Sequence, residues 1–163
     1  INLTEIKIRR ELVVHASVHG GVDTPEVLVF MNMVKDLERI GDYNKNIFDL
    51  ADDGVSMAEA PDLDLLIDYR DELSSRIALM GELLTTRDED RARAYIVRGD
   101  ELRREFDGRI QALLHSTETA MVAVPRALLY RFLKRVTAHS LNVVSGRSEE
   151  RRVGKEARSR WSP

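Results

Sequence analysis

Residues 36–46 read Asp-Leu-Glu-Arg-Ile-Gly-Asp-Tyr-Asn-Lys-Asn, and the spacing of their polar side chains is that of a helix with one acidic face. Glu38, Asp42 and Asn46 recur at every fourth position, so a helix places all three on the same side. The apolar positions point elsewhere, and we expect them to pack into a helical bundle: Leu37, Ile40 and Ile47.

This acidic face has two interpretations that the residues leave open. Carboxylates one helical turn apart supply the hard oxygen ligands that divalent cations prefer, although Glu38 and Asp42 alone do not complete a coordination sphere. The alternative is a solvated surface on which these acids form salt bridges with Arg39 or Lys45.

Outward from this stretch, apolar periodicity and helix-capping residues predict an all-α chain without strands. The second helix opens on Thr24-Pro25-Glu26, and the fourth opens on a capping box that starts at Thr86. A Gly20-Gly21 pair ends the first helix. The expected helices are residues 3–19, 24–51, 62–84, 86–115 and 119–144.

The chain also repeats itself. Residues 5–15 resemble residues 105–115 at an offset of 100, and residues 37–47 resemble residues 133–143 at an offset of 96. Two similar helix pairs, with one extra helix before the second, predict two tandem three-helix bundles of which the first lacks its opening helix. The expected units are 1–54, a partial repeat of two helices, and 62–146, a repeat of three helices.

Composition excludes several classes of protein. The 163 residues contain no cysteine, which excludes disulfides and thiolate metal sites, and no apolar run reaches the roughly 18 to 20 residues that span a bilayer. We expect a cytoplasmic protein, and the opening on Ile1 suggests a fragment. Six of the basic and three of the acidic side chains lie after residue 146, so residues 1–146 carry a net charge of −6, which argues against nucleic-acid binding.

The last seventeen residues, 147–163, differ in character from the rest of the chain. They resemble the in-frame translation of a short-read sequencing adapter, in which cysteine is expected where Ala157 stands. We therefore predict that the native gene is interrupted near Gly146 and that this tail is an artefact outside the fold.

Leu-Glu-Arg-Ile-Gly-Asp at residues 37–42, followed by Asn46 and Ile47, resembles the hallmark of the PhoU family. Weaker similarity to that family covers residues 1–146. The resemblance implies paired three-helix repeats, with an iron, zinc, manganese or magnesium ion held by acids on two neighbouring helices. Carried across to this chain, it implies metal ligands at Glu38 and Asp42, with Asn2 and Glu5 as partners. A further acid that the family supplies would lie before Ile1.

Carried across to the second repeat, the resemblance to the PhoU family implies that a second metal site is absent. The residues corresponding to the acid pair in the second repeat are Lys134 and Ala138, with Gly99 and Arg103 at the partner positions. Because a lysine repels a cation, we expect a metal ion at the first repeat only.

The resemblance implies a regulator of phosphate uptake and phosphate-starvation signalling, whose partners are the phosphate-specific transporter and a sensor histidine kinase. Two alternatives stay open: the cytoplasmic domain of a sodium–phosphate cotransporter, and a metal-free helical dimerisation module that forms a homodimer. The sequence contains neither a Gly-rich phosphate loop nor a nucleophile beside a base, so we do not expect an enzyme.

Overall fold

Five α-helices make up the chain in a computed structural model that describes residues 2–18, 24–86 and 88–160, and no strand occurs among those residues. Side chains are described as far as residue 146. The all-α prediction is thereby confirmed. The helices are α1 Asn2–Val18, α2 Thr24–Asp52, α3 Leu63–Thr85, α4 Glu89–Leu114 and α5 Ala120–Arg160.

The start of α4 and the end of α5 differ from the positions that the sequence predicts. The capping box predicted at Thr86 is wrong, because Thr86 closes α3 and Asp88 caps α4 by accepting a hydrogen bond from the backbone N–H of Arg91 at 2.9 Å. Helix α5 continues to Arg160 instead of ending at residue 144. The adapter interpretation of the tail stays a prediction, and the predicted stop at residues 20–21 lies outside the described residues.

Helices α2 and α5 form the most extensive contact between any two described helices and run along the centre of the molecule. Helix α1 packs against α2, whereas α3 and α4 both pack against α5. This arrangement is that of a helix pair formed by α1 and α2 beside a three-helix unit formed by α3, α4 and α5. The boundaries of the two predicted repeats, 1–54 and 62–146, stay a prediction.

The hydrophobic core is concentrated in the three-helix unit. Tyr69 of α3 packs edge-on against Phe106 of α4 at 4.8 Å between ring centroids, and Tyr130 of α5 lies 6.2 Å from Tyr69. Phe106 and Tyr130 are both fully buried. On α1, by contrast, the described buried residue is the polar Glu5. Most apolar burial therefore stabilises α3, α4 and α5.

An ion-pair network joins α3 to α4. The Arg98 guanidinium donates from Nε and Nη2 to the two carboxylate oxygens of Glu72, each at 2.7 Å, and from Nη1 to Glu105 at 2.7 Å. The Tyr69 hydroxyl also donates to Glu105, at 3.0 Å. A two-pronged guanidinium–carboxylate pair fixes geometry better than a single contact, so it sets the register between the two helices.

A second polar cluster joins the start of α3 to α5. Arg126 Nε lies 2.9 Å from Asp62 Oδ1, and both side chains are almost fully buried. The Tyr130 hydroxyl donates to the other oxygen of Asp62, and Arg126 also pairs with Glu118. Burial by itself raises the pKa of Asp62, but the ion pair with Arg126 and the hydrogen bond from Tyr130 outweigh burial and leave the pKa below its ordinary value.

Candidate functional site

Helix α2 carries the predicted acidic face, and its two carboxylates lie in different environments. Glu38 is 9% exposed and accepts a hydrogen bond from Lys35 Nζ at 2.6 Å. That hydrogen bond lowers the pKa of Glu38, so its carboxylate is ionised at neutral pH. Asp42 is 38% exposed at its side chain and lies 3.4 Å from Arg39.

Helix α1 supplies the two partner positions. Glu5 is buried at 8% exposure and accepts a hydrogen bond from Arg9 Nη1 at 2.9 Å, whereas Asn2 is exposed. The charge of Arg9 also contributes to lowering the pKa of Glu38. Helix α1, which carries Glu5 and Arg9, packs against α2, which carries Glu38.

Each of these three acids has a basic partner on its own helix, three or four residues away. Among the described side chains, no group of three histidine or acidic residues is gathered as a metal site. A cation at this position therefore has to replace Lys35 as the partner of Glu38 and draw Asp42 and Glu5 toward the same point. The metal role of Glu38, Asp42, Glu5 and Asn2 stays a prediction.

The corresponding positions of the second repeat contain a different contact. Lys134 of α5 donates to Asp107 of α4, and both residues lie near the surface. Gly99, expected from the sequence to be a partner position, lies instead beneath Leu141 and Arg76. A β-carbon at Gly99 would come within 2.4 Å of Leu141 Cδ2. Gly99 therefore allows close packing of α4 against α5.

Asp36, the first residue of the motif, faces the seam between α2 and α5. Its Oδ1 lies 2.6 Å from His139 Nδ1 and accepts a hydrogen bond from Asn142 Nδ2 at 3.1 Å. The His139 and Asp36 side chains are only 12% and 19% exposed. Sequence reasoning missed this pair, since 103 residues separate the two side chains.

Tyr43 of α2 and Arg135 of α5 lie at the same seam, the contact between these two helices. The Tyr43 ring stacks on His139 at 5.7 Å between centroids, and the Tyr43 hydroxyl accepts from Arg135 Nε at 3.2 Å. Arg135 Nη2 is also 3.3 Å from His139 Nε2. The offset of 96 makes Tyr43 and His139 equivalent positions of the two repeats. Equivalent positions meet where two similar units pack around an approximate two-fold axis, so the repeat was the signal that could have located this seam.

The apolar residues of the motif divide between core and surface. Ile40 is buried and Ile47 packs against the core, as expected. Leu37 is 37% exposed, so the prediction that it packs into the bundle is wrong. Helix α2 turns Leu37 to a side that neither α1 nor α5 covers.

Comparison with known proteins finds a similarity in the first part of the chain. Residues 1–51 match the family model of the PhoU domain. The match contains the whole 36–46 motif and all four predicted metal ligands, so the expected resemblance to the PhoU family is confirmed over this stretch. No curated protein and no solved structure gives a significant match. Within the described residues, no helix is both long and apolar enough to cross a membrane.

Proposed function

From the PhoU-domain match over residues 1–51, we propose that this protein is a cytoplasmic regulator of phosphate uptake and of phosphate-starvation signalling. It acts by helix-mediated contact with the phosphate-specific transporter and with a sensor histidine kinase, and not as an enzyme. The observation that carries the proposal is that the matched stretch includes the complete 36–46 motif.

The geometry supports a contact function. Large apolar side chains stand exposed on α1 and α2, among them Ile6 at 59%, Val13 at 51% and Phe48 at 72%. Exposed apolar helix faces are typical of surfaces that bind other proteins. The described charged clusters, in contrast, are occupied by pairing between helices, as in the Arg98 network.

The metal ion is a separate part of the proposal. Glu5 and Glu38 are buried acids on two helices that pack against each other, and Asp42 lies one turn from Glu38. When bound, a divalent or iron-type ion would supply a positive charge that links α1 to α2. In its absence, Lys35 and Arg9 neutralise the two buried carboxylates, so metal binding has to compete with these internal ion pairs.

We expect the double variant Glu38→Gln with Asp42→Asn to lower both the metal content of the purified protein and its effect on a phosphate-responsive reporter. The reporter is read in a host from which the resident PhoU-domain regulator has been deleted, at high and at low phosphate. Removing two carboxylates removes the hard oxygen ligands while keeping the size of each side chain.

The matched control is Asp49→Asn with Asp52→Asn, which removes the same charge from two acids of the same helix, Asp49 being half-buried and paired with Lys45 and Asp52 exposed. If the Glu38 and Asp42 variant keeps both the metal and the reporter response, the site assignment is wrong. If the variant loses the metal and keeps the reporter response, the protein regulates without bound metal.

One alternative function is favoured by a specific observation. The acids of the predicted metal site already have basic partners at 2.6 to 3.4 Å, which fits a metal-free module for helical association. Elemental analysis of the purified chain separates the two: stoichiometric metal supports the metal-tuned regulator, and its lack supports the metal-free module.

A further inference from the structure

The contact between α2 and α5 contains a histidine whose two ring nitrogens have opposite neighbours. His139 Nδ1 lies 2.6 Å from a carboxylate oxygen of Asp36, and His139 Nε2 lies 3.3 Å from Nη2 of Arg135. An ionised carboxylate can only accept a hydrogen bond, and a guanidinium can only donate one. His139 therefore donates from Nδ1 and accepts at Nε2, so this geometry requires the neutral ring with its proton on Nδ1.

Arg135 depends on this neutral ring for its position. Its side chain is half-buried, and its described hydrogen-bond partners are His139 and the Tyr43 hydroxyl, to which Arg135 Nε donates at 3.2 Å. The guanidinium carbon also lies 5.6 Å from the centre of the Tyr43 ring. Neither partner carries a negative charge, so both hydrogen bonds are weaker than an ion pair with a carboxylate would be.

The titratable and charged groups described in contact with the His139 ring come from two helices. Asp36 and Tyr43 belong to α2, and Arg135 belongs to α5. Helices α3 and α4 also pack against α5 but supply no group to these described contacts. The His139 and Asp36 side chains are only 12% and 19% exposed, so solvent screens charge at this position incompletely. A change in the charge of His139 therefore acts directly on Asp36 and Arg135.

We propose that His139 is a pH-dependent switch for the position of Arg135: the neutral ring holds the guanidinium beside Tyr43, and protonation of the ring releases it. The second ring proton is added at Nε2, which accepts from Arg135 in the neutral state, and it places two cations 3.3 Å apart. The inference rests on these contacts alone and is independent of the phosphate role.

Protonation has the opposite effect on the other side of the ring. The bond from His139 Nδ1 to Asp36 becomes a hydrogen bond between two ions, which is stronger than one from a neutral ring. Asn142 of α5 also donates to Asp36, at 3.1 Å, and does not depend on the charge of His139. The contact between α2 and α5 is therefore kept while Arg135 turns to solvent, and acidification adds an exposed positive charge at this contact.

The test is an NMR titration of the full chain labelled with ¹⁵N, in which the ring nitrogens of His139 and the Nε–H group of Arg135 are followed together. At about pH 8 we expect the nitrogen shifts of the Nδ1–H tautomer and an Arg135 signal displaced by the Tyr43 ring. On acidification the Arg135 signal should move to the position of a free arginine over the pH range in which His139 gains its proton. In His139→Phe, which keeps a ring that cannot be protonated, the Arg135 signal should not depend on pH. His115→Phe, at an exposed histidine, is the control and should behave as the parent.

Two substitutions should move the titration midpoint of His139 in opposite directions. Arg135→Gln removes the positive charge beside Nε2 and keeps an amide that can donate, so the midpoint should rise by about half a pH unit or more. Asp36→Asn removes the negative charge beside Nδ1 and keeps an oxygen that can accept, so the midpoint should fall by a similar amount. The matched control is Arg131→Gln, at an exposed arginine eight residues from His139 on the same helix, with an expected change below about 0.2 pH unit.

Three results would overturn the proposal. The first is that His139 carries its proton on Nε2 at about pH 8, since that ring cannot accept from Arg135. The second is that the Arg135 signal stays in place while His139 gains its proton. Both are read on the parent chain, so neither depends on whether a variant folds. The third is that Arg135→Gln, folded by circular dichroism, leaves the midpoint of His139 unchanged. None of these measurements involves a signalling partner, so their failure removes this inference and leaves the proposed function untouched.

Discussion

Replacing Phe106 by alanine is expected to lower the free energy of unfolding by about 4 kcal/mol. Phe106 is completely buried, and its ring contacts Tyr69 edge-on at 4.8 Å and lies 6.3 Å from Tyr130. Truncation removes apolar burial and leaves a cavity where α3, α4 and α5 meet. Because three helices surround the site, backbone movement can fill that cavity only in part.

The loss is measured by urea unfolding followed by circular dichroism, with Phe48→Ala as the matched control. Phe48 is 72% exposed, so the same substitution on α2 should change stability by less than about 1 kcal/mol. If Phe106→Ala and Phe48→Ala lowered the free energy of unfolding equally, the result would contradict the finding that Phe106 is buried and Phe48 is exposed.

Asp62→Asn is expected to lower the free energy of unfolding by about 3 kcal/mol at neutral pH, the second large effect. The substitution removes the negative charge that faces Arg126 inside the protein, while the amide oxygen can still accept from Tyr130. Glu118 remains as the other partner of Arg126 and limits the loss. The buried guanidinium is nevertheless left with one carboxylate where it had two.

The ion pair between Asp62 and Arg126 makes the stability of the protein depend on pH. The pKa of Asp62 in the folded protein lies below its ordinary value of 3.8. A lowered pKa means that the stabilisation is complete above the ordinary pKa and is lost as pH falls through the folded value. The stability difference between parent and Asp62→Asn should therefore be constant from pH 7 to about pH 5 and shrink below about pH 4.

Asp71→Asn is the control for Asp62→Asn, since Asp71 lies on α3, the helix that Asp62 precedes, but its side chain is 62% exposed and paired with its neighbour Arg70. It should leave stability nearly unchanged at every pH. A difference for Asp62→Asn that grew as pH fell would reverse the sign of the proposed linkage.

Local signals predicted the helices well because each one depends on residues near it in sequence. Gly54, with a positive φ of 84°, lies just after α2 and ends it close to the expected position. The start of α4 was misplaced because Thr86 and Asp88 are both good caps, and local sequence does not show that Thr86 is needed to close α3. The repeat at offsets of 100 and 96 indicated the pairing of helices before any contact was known.

The candidate site was less predictable, because it depends on how each helix is rotated about its axis. Spacing placed Glu38 and Asp42 on one side of α2, but only the packing of α1 decides that Glu38 is buried and Asp42 partly exposed. The bond between Asp36 and His139 joins residues on different helices, so no local pattern could reveal it. The exposure of Leu37 follows for the same reason, since α1 and α5 are the helices that pack against α2 within the described residues, and Leu37 remains 37% exposed.

We propose that the protein regulates phosphate uptake and signalling through contact with other proteins, and direct binding is the most direct test of this proposal. The measurement is the affinity of the purified chain for the detergent-solubilised phosphate-specific transporter and for the cytoplasmic part of the sensor histidine kinase, by biolayer interferometry. Saturable binding to at least one of them, weakened by Leu37→Asp or by the Glu38 and Asp42 variant, is the predicted result. The absence of binding to both proteins, with a chain that is folded by circular dichroism, would contradict the claim.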